Sequence, residues 1–490
     1  MRQTILIAPE IFLSVVGLLV LAGEALAPAT RRVWVHLSIV ALLGCIVHQV
    51  MFFVNGAFPG AAALGITPLA SSTTWISYPN VFGMLSIDSL AVFFKIALMS
   101  SVIIVLWLSL DYFEFETAPM GTYSGILLFA TVGMMLLVSS VDLLMAVIGV
   151  EMLSIASFIL TGFAFGRRSS AEAAIKFFMV GALSTAIFLF GISYYYGYFG
   201  TTQLSALQAF PAGQKPELVL SLILMFLIAG IAFKLAMVPF HMWAPDAYEG
   251  APTPVTAFLS VAPKAAAIGF LLRLLSNHEA LGITPLLAIL AAVTMTVGNL
   301  GALHQTNVKR LLAYSSIAQV GYILVALVAG GSLGSQAAMV YTFVYIFMNL
   351  GVFAGLLMLS NRSHQEDVPS FAGLSQKSMG LSLAMVVFLL SLTGIPPFAG
   401  FVGKFAIFAS IIQKPELFWL AIVAVVNSVI SLYYYFRLVH EMFFRDPADG
   451  TRPWFSPALL SCLAIALGIT LIAGLLPNQI LGWVRNVVGS

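Results

Sequence analysis

Apolar stretches of about twenty residues recur from one end of the chain to the other, separated by short polar connections. Each is long enough to cross about 30 Å of hydrocarbon at 1.5 Å rise per residue. The pattern predicts fourteen helices, at 5–24, 33–54, 86–109, 122–139, 141–164, 173–199, 219–242, 252–276, 281–303, 309–330, 335–360, 379–412, 417–440 and 456–477. The connections leave no room for a soluble domain. The longest, 55–85, is rich in Gly, Pro, Ser and Thr and reads as a loop outside the membrane. The expected fold class is an all-α polytopic membrane protein.

Two of these helices carry proline well inside, the seventh at LAMVPF and the twelfth at TGIPPFAGF. Corresponding breaks in two halves of a chain point to the inverted-repeat design of transporters. The breaks lie five helices apart, and five is odd, so the second set of five runs inverted relative to the first. The expected organisation is residues 1–121 for helices one to three, 122–276 and 277–440 for the two repeats, and 441–490 for the last helix. The plainer alternative is that proline is simply frequent in transmembrane helices.

Composition supports the membrane reading. The 490 residues are 61% hydrophobic and 8% charged, against roughly 45–50% apolar and about 25% charged in soluble domains. A net charge of +2 gives no reason to expect nucleic acid. The two cysteines, Cys45 and Cys462, both fall in apolar spans, so no disulfide framework or cysteine-ligated metal is indicated. The N-terminus mimics a secretory signal, with Arg2, then IFLSVVGLLVLAG, then EALAPA. Pro9 and Glu10 interrupt its front, however, and Arg31 and Arg32 follow it, which favours a retained helix with its N-terminus outside. In that orientation eleven Lys and Arg residues, from Arg31 to Arg452, fall on the cytoplasmic side and five outside (Arg2, Lys215, Arg273, Lys414 and Arg485). An even helix count places the C-terminus outside as well.

Charge inside the spans supplies the candidate chemistry. Five lysines fall there, Lys95, Lys176, Lys234, Lys264 and Lys404; of the acids Asp88, Asp142, Glu151 and Glu172, only Glu151 reads as deep. A charge at a helix centre costs about 2.5–3.5 kcal/mol on insertion scales, so these groups must pair, face the bundle interior or line water. Pro239 leaves the carbonyl of Leu235 without its helical donor, beside Lys234; Pro263 does the same to Leu259, beside Lys264. Pro396 and Pro397 free Leu392 and Thr393 on the way to Lys404, with Gly394, Gly400 and Gly403 loosening the stretch. A freed carbonyl can hold water or the ammonium itself. Proton movement suits such sites: lysine can lose its proton where arginine stays charged, and moving Glu151 toward or away from Lys234 would load and unload it. On this reading Lys234 and Glu151 exchange the proton, Lys264 relays between halves and Lys404 stands on the exit side.

Each group also has a plainer reading. Glu151 and Lys234 form a static buried ion pair; Lys404 snorkels to the interface; Lys176 makes an ordinary i,i+4 pair with Glu172; His241 packs rather than relays; His304 is interfacial; Lys95 is structural. Redox chemistry finds no support. The chain has no G-x-x-x-x-G-K-[ST] loop and no G-x-G-x-x-G after a strand. His36 and His48 are twelve residues apart on one helix, about 18 Å of rise, too far to share a haem.

Three long motifs, FKLAMVPFHMWAPDAYEGAPTPVTAFLSVAPKAA, HQTNVKRLLAYSSIAQVGY and LTGIPPFAGFVGKF, closely resemble the antiporter-like membrane subunits of respiratory complex I. DAYEGAPTPVTAFL and a lysine in the twelfth helix resemble the N-type rather than the M-type, and the chain lacks the long lateral helix of the L-type. The resemblance implies a fourteen-helix fold with two inverted five-helix repeats. It implies proton translocation by Glu151, Lys234, Lys264 and Lys404, with Lys176 on the same polar axis; His241 comes only from the residue reading. Many relatives carry histidine where this chain has Gln319, which orients water but does not titrate. The resemblance further implies quinone reduction elsewhere in the complex as the driving reaction, with no cofactor in this subunit and NADH, FMN, iron–sulfur clusters and quinone bound by others. Expected partners are an M-type subunit, small K-, J- and A-type subunits and the lipid of a bacterial inner membrane, with both termini periplasmic. The alternatives are a subunit of a multi-subunit cation/proton antiporter, or of a related hydrogenase or ferredoxin–plastoquinone complex.

Overall fold

The computed structural model describes residues 4, 6–27, 31–55, 78–115, 119–211, 217–363, 365–447 and 453–488. Most of the predicted loop 55–85 (residues 56–77), Arg2, Lys215 and Arg452 lie outside them. The described helices are α1 Ala8–Leu26, α2 Arg31–Asn55, α3 Ser89–Phe115, α4 Met120–Ser139, α5 Leu143–Thr161, α6 Arg168–Phe199, α7 Leu218–Leu235, α8 Trp243–Gly250, α9 Thr253–Leu274, α10 Thr284–Leu303, α11 Val308–Ala329, α12 Gly331–Ser363, α13 Met379–Thr393, α14 Ala399–Ile411, α15 Phe418–Phe444, α16 Pro457–Leu475 and α17 Pro477–Val488, beside a few single turns. Among the described residues thirteen helices are long and apolar enough to cross a membrane, and α13 and α14 are two shorter apolar ones.

The bundle is arranged by how apolar each helix is around its circumference. A helix with no polar face has to be surrounded by other helices or by lipid. In α9 every residue from Thr253 to Leu274 is buried, and α11 and α12 are nearly as enclosed. These three form the centre. By contrast, α6 turns Ile175, Phe178, Met179, Leu183 and Phe190 outward, an apolar surface suited to lipid or to a neighbouring subunit. Small residues permit the closest approaches. A side chain at Gly149 would lie 2.8 Å from the backbone of α4, and α4 packs along α5 there.

Three features depart from the sequence expectation. Residues Tyr78–Val81 and Leu85–Ile87, at the end of the predicted loop, pair as an antiparallel hairpin. Val81, Leu85 and Ile87 are buried against Leu136 and Met145; strands this short are specified by that packing, not by alternation. Beyond α16 the chain forms a further helix, α17, which buries Ile480, Val484 and Val487. Its Trp483 ring lies 4.8 Å from Phe93 and 5.4 Å from Phe343. The i, i+4, i+7 spacing of those three residues was a readable amphipathic signal. The acid inventory also changes, because Glu10 and Glu24 in α1 are buried. Glu10 pairs with Lys95 of α3 at 2.6 Å, and Glu24 accepts the backbone N–H of Gly121 at 3.1 Å. Glu10, read from the sequence as interrupting an apolar run, is thus the carboxylate partner of Lys95, the lysine read from the sequence as structural.

Candidate functional site

The seventh span ends as a helix before it reaches its proline. α7 is apolar apart from Ser221 and the last-turn Lys234 and stops when Ala236 takes the left-handed conformation (φ 54). Ala236 N–H donates to Phe233 O at 3.0 Å and Met237 N–H to Ala232 O at 2.9 Å, a Schellman-type cap. The twelfth span ends in the same way. After Thr393, Gly394 is left-handed (φ 92), its N–H reaches Ser391 O at 2.9 Å, and Ile395 N–H reaches Leu390 O at 3.0 Å. Short helices, α8 and α14, resume beyond each break. In both places a side chain from the resumed helix takes a last-turn carbonyl: Trp243 Nε1 donates to Phe233 O at 3.0 Å, and Lys404 Nζ to Thr393 O at 2.8 Å.

Lys234 lies in the last turn of α7 and is 3% exposed. Its Nζ makes no hydrogen bond to protein. It lies 5.4–5.8 Å from the ring centroids of Phe158, Phe177 and Phe233, within range of cation–π attraction. The expected bond to the Leu235 carbonyl is not made, because the helix has already been capped at Ala236 and does not run on into Pro239. Nor is the static ion pair present. Glu151 of α5, half-buried, instead accepts Thr185 Oγ1 of α6 at 2.6 Å.

Lys264, midway along α9, donates to Ser316 Oγ of α11 at 2.7 Å and lies 5.8 Å from the Tyr248 ring. Pro263 does free the Leu259 carbonyl, but Tyr248 Oη takes it at 3.1 Å, so that expectation for Lys264 is also corrected. Ser316 is followed on α11 by Gln319 and Tyr322, at spacings of three that keep all three near one face. Gln319 Nε2 donates to Leu392 O at 3.0 Å and contacts Tyr435 Oη at 3.2 Å, while its Oε1 accepts from Tyr341 Oη. The Tyr322 ring lies 4.1 Å from Lys404 Nζ, and its hydroxyl accepts from Ser428 Oγ at 3.2 Å. Lys404 also donates to Ser428 at 3.2 Å. Lys404 is 3% exposed, tied on both sides, and does not snorkel. Its placement by the Thr393 carbonyl sets a cation at a helix C-terminus, where the macrodipole favours it. Of the expected carbonyls, Leu259 O, Leu392 O and Thr393 O are held by the side chains of Tyr248, Gln319 and Lys404, and only Thr393 O is held by the lysine expected to use it.

Lys176 is less enclosed. It pairs with Glu172 at 2.8 Å and with Asp246 of α8 at 3.0 Å, and Asp246 continues to Arg310 at 2.8 Å and on to Glu249 at 2.8 Å. Burial opposes ionisation of Asp246, but its bonds to Lys176 and Arg310 prevail and hold its carboxyl below the ordinary range. The i,i+4 pair is therefore real, yet it is one link of a network that ties α6 to α8 and α11. His241 lies on the break, half-buried, with Nδ1 making no hydrogen bond, and no bond joins it to Lys234.

The structure thus brings Lys264 and Lys404 onto one polar face of α11. It places Lys234 beyond the other side of the α8 aromatic cluster, and leaves His241 outside these contacts. Sequence reasoning did not single out Thr185, Tyr248, Ser316, Tyr322 or Ser428. Ser316 and Tyr322 lie in AYSSIAQVGY, whose polar residues at three-residue spacing in a buried span were the available signal. No group of three or more His, Cys, Asp or Glu side chains that could hold a metal occurs among the described residues.

Residues 140–431 match the family model described as NADH:quinone oxidoreductase/Mrp antiporter, transmembrane. NADH-quinone oxidoreductase subunit N of Trichlorobacter lovleyi is 38% identical over 491 residues, spanning 98% of this chain and 96% of that one. A chain of respiratory complex I from Thermus thermophilus superposes with a TM-score of 0.79 at 29% identity, over 98% of this chain and 100% of that chain. A chain of the Mrp complex from Dietzia superposes with a TM-score of 0.82 at 20% identity, over 99% and 97%, a likeness of fold alone.

Proposed function

The chain belongs to the NADH:quinone oxidoreductase/Mrp antiporter family of membrane subunits, and from that premise we propose how its buried lysines work. It is an N-type, antiporter-like subunit of NADH-quinone oxidoreductase, in the proton-translocating membrane arm. NADH, FMN, iron–sulfur clusters and quinone belong to other parts of that complex, and this subunit supplies proton conduction.

The observation that carries the reading is three enclosed lysine ammoniums with no carboxylate within ion-pair distance among the described residues: Lys234, Lys264 and Lys404. Structural buried charges are normally paired; unpaired ones inside a membrane mark ion pathways. Lys234, controlled by the approach or withdrawal of Glu151, accepts and releases the proton. Lys264 passes it from α9 to α11 through Ser316. Gln319, Tyr341 and Tyr435 hold the hydrogen-bonded ground between, and Lys404 delivers it toward the exit. Lys176 feeds the inner side through Asp246, and His241 stands beside the first break as a lesser candidate. Gln319 orients neighbours without titrating, so protons cross that point along hydroxyls or water.

The matched backbone at the two breaks supports fourteen spans in two inverted halves, α4–α9 and α10–α15, within 122–276 and 277–440. α4 packs on α5 and α10 on α11, and α6 and α12 each lie along a broken helix, consistent with that pairing. We place both termini on the periplasmic side of the bacterial inner membrane. The flanking subunits are then an M-type on one side and the small K-, J- and A-type subunits on the other.

The test is Lys234→Met in the assembled complex, comparing NADH-driven proton pumping in sealed vesicles with quinone reductase activity in the same membranes. Loss of pumping in a complex that still assembles is expected. Normal pumping at normal turnover would make Lys234 a buried structural charge and undo the assignment.

A further inference from the structure

On the membrane face between α13 and α15 runs an open groove of about 700 Å³. Its α15 wall is a lengthwise strip, Val429, Leu432, Tyr433 and Phe436, at i, i+3, i+4 and i+7 spacing, faced by Leu390 and Ile395. At one end the strip changes character and closes on Arg437 and His440. From Val429 to His440 is eleven residues, about 16 Å of helix rise, or about half of a 30 Å hydrocarbon core. The groove therefore spans one leaflet, apolar in its depth and basic at its rim.

The basic end carries charge to spare. Arg437 donates Nη1 to Leu303 O at 3.1 Å and Nη2 to Gln305 O, at the C-terminal end of α10. These carbonyls orient the guanidinium without neutralising it. Its Nε–H is buried without a hydrogen bond, and among the described residues no carboxylate lies within ion-pair distance of it. The nearest acid along the helix, Glu441, leans to Arg445 at 3.9 Å. His440 is exposed and only stacks on Phe444, centroids 5.5 Å apart.

We propose that this groove binds one anionic phospholipid, its acyl chain lying along Leu432 and Phe436 to Ile395 at the α13–α14 break and its phosphate held by Arg437 and His440. A basic pocket between helices beside an apolar channel of leaflet length fits a phosphate headgroup with a chain attached. A helix from another protein would bring a strip of similar length but no reason for the uncompensated guanidinium at its end. The tail would end at Ile395, two residues from the Thr393 carbonyl that holds Lys404. The lipid thereby packs against the backbone that positions one of the proposed proton carriers. Binding itself does not depend on that role.

The experiment places a photoreactive benzoylphenylalanine at Tyr433 of the assembled complex, in nanodiscs of phosphatidylcholine with a minor fraction of phosphatidylglycerol, and identifies adducts by mass spectrometry. Phosphatidylglycerol adducts should exceed their bulk proportion roughly fivefold, the weight of one basic side chain at a membrane surface. Arg437→Gln should return the ratio to bulk. Because Arg437 also caps α10, His440→Glu serves as the second variant: its ring makes only the stacking contact with Phe444, and a carboxylate placed beside the phosphate should also abolish the enrichment. Adducts at the bulk ratio in the unmodified background, enrichment surviving both variants, or cross-links to a neighbouring subunit in place of lipid would each overturn the proposal.

Discussion

Gly394 gives the most direct access to the way the twelfth-span break positions its lysine. At φ 92 it adopts a conformation that L side chains rarely take, and an alanine there costs about 1–2 kcal/mol in backbone strain. The added Cβ would also lie 2.7 Å from Lys404 Cδ and 3.6 Å from its Nζ. Ordinary contact requires nearly 1 Å more from Cδ, so the lysine has to swing away from the Thr393 carbonyl, now 2.8 Å from Nζ, or from Ser428, at 3.2 Å. Losing one charged hydrogen bond costs about 1.5–3 kcal/mol. Together with the strain, the present lysine geometry is disfavoured by about 2.5–5 kcal/mol, a factor of well over ten. Gly394→Ala should therefore depress NADH-driven pumping at least tenfold where Lys404 is a carrier. The assay is dye-monitored acidification of sealed vesicles beside quinone reductase turnover, with assembly checked on native gels. The same substitution in a Lys404→Met background should add little. Unchanged pumping in an assembled Gly394→Ala complex would refute the positioning argument, and a full additional loss in the Lys404→Met background would show that the effect does not run through the lysine.

Two further predictions follow from charges outside the proposed route. Removing one partner of the buried Glu10–Lys95 pair should destabilise by about 3–5 kcal/mol and lower the yield of assembled complex. The double change Glu10→Leu with Lys95→Met should recover assembly with normal pumping per electron, and a pumping defect in that double variant would make the pair more than structural. Asp88 accepts both Nη groups of Arg273 at 2.6 Å, along with Ala91 N–H at 2.9 Å and Ser86 Oγ at 3.0 Å. Burial pushes its carboxyl upward, but Arg273 and these hydrogen bonds outweigh burial and hold it below the usual range. A depressed folded-state value contributes stability that is present above the unfolded value of about 3.9 and lost as pH falls through the folded one. The unfolding temperature of the detergent-solubilised complex should fall as pH drops below about 4, and Asp88→Asn should remove that part of the slope while lowering stability at pH 7. An identical acid slope in the variant would assign the acid sensitivity to other groups.

The sequence by itself determined a great deal. Hydrophobic length fixes the spans, because lipid offers no partner for a backbone polar group and each crossing must satisfy its own hydrogen bonds as a helix. The cost of burying charge likewise makes Lys234, Lys264 and Lys404 conspicuous wherever they pack. Proline and glycine mark the breaks at 236–242 and 394–398, though not that both are capped a few residues before the proline.

Tertiary structure decided the partners. Which neighbour takes a freed carbonyl depends on helices far away in sequence: Tyr248 reaches Leu259 ahead of Lys264, and Trp243 reaches Phe233 while Lys234 remains among aromatic rings. The pairing of Glu10 with Lys95 across eighty-five positions, and the bond from Lys264 to Ser316 across fifty-two, arise from helix packing that no local pattern encodes. The short hairpin and α17 belong to the same class, since each is stabilised mainly by the surface it covers. A chain so uniformly apolar announces where its charges are buried; only the packed bundle determines which groups face them.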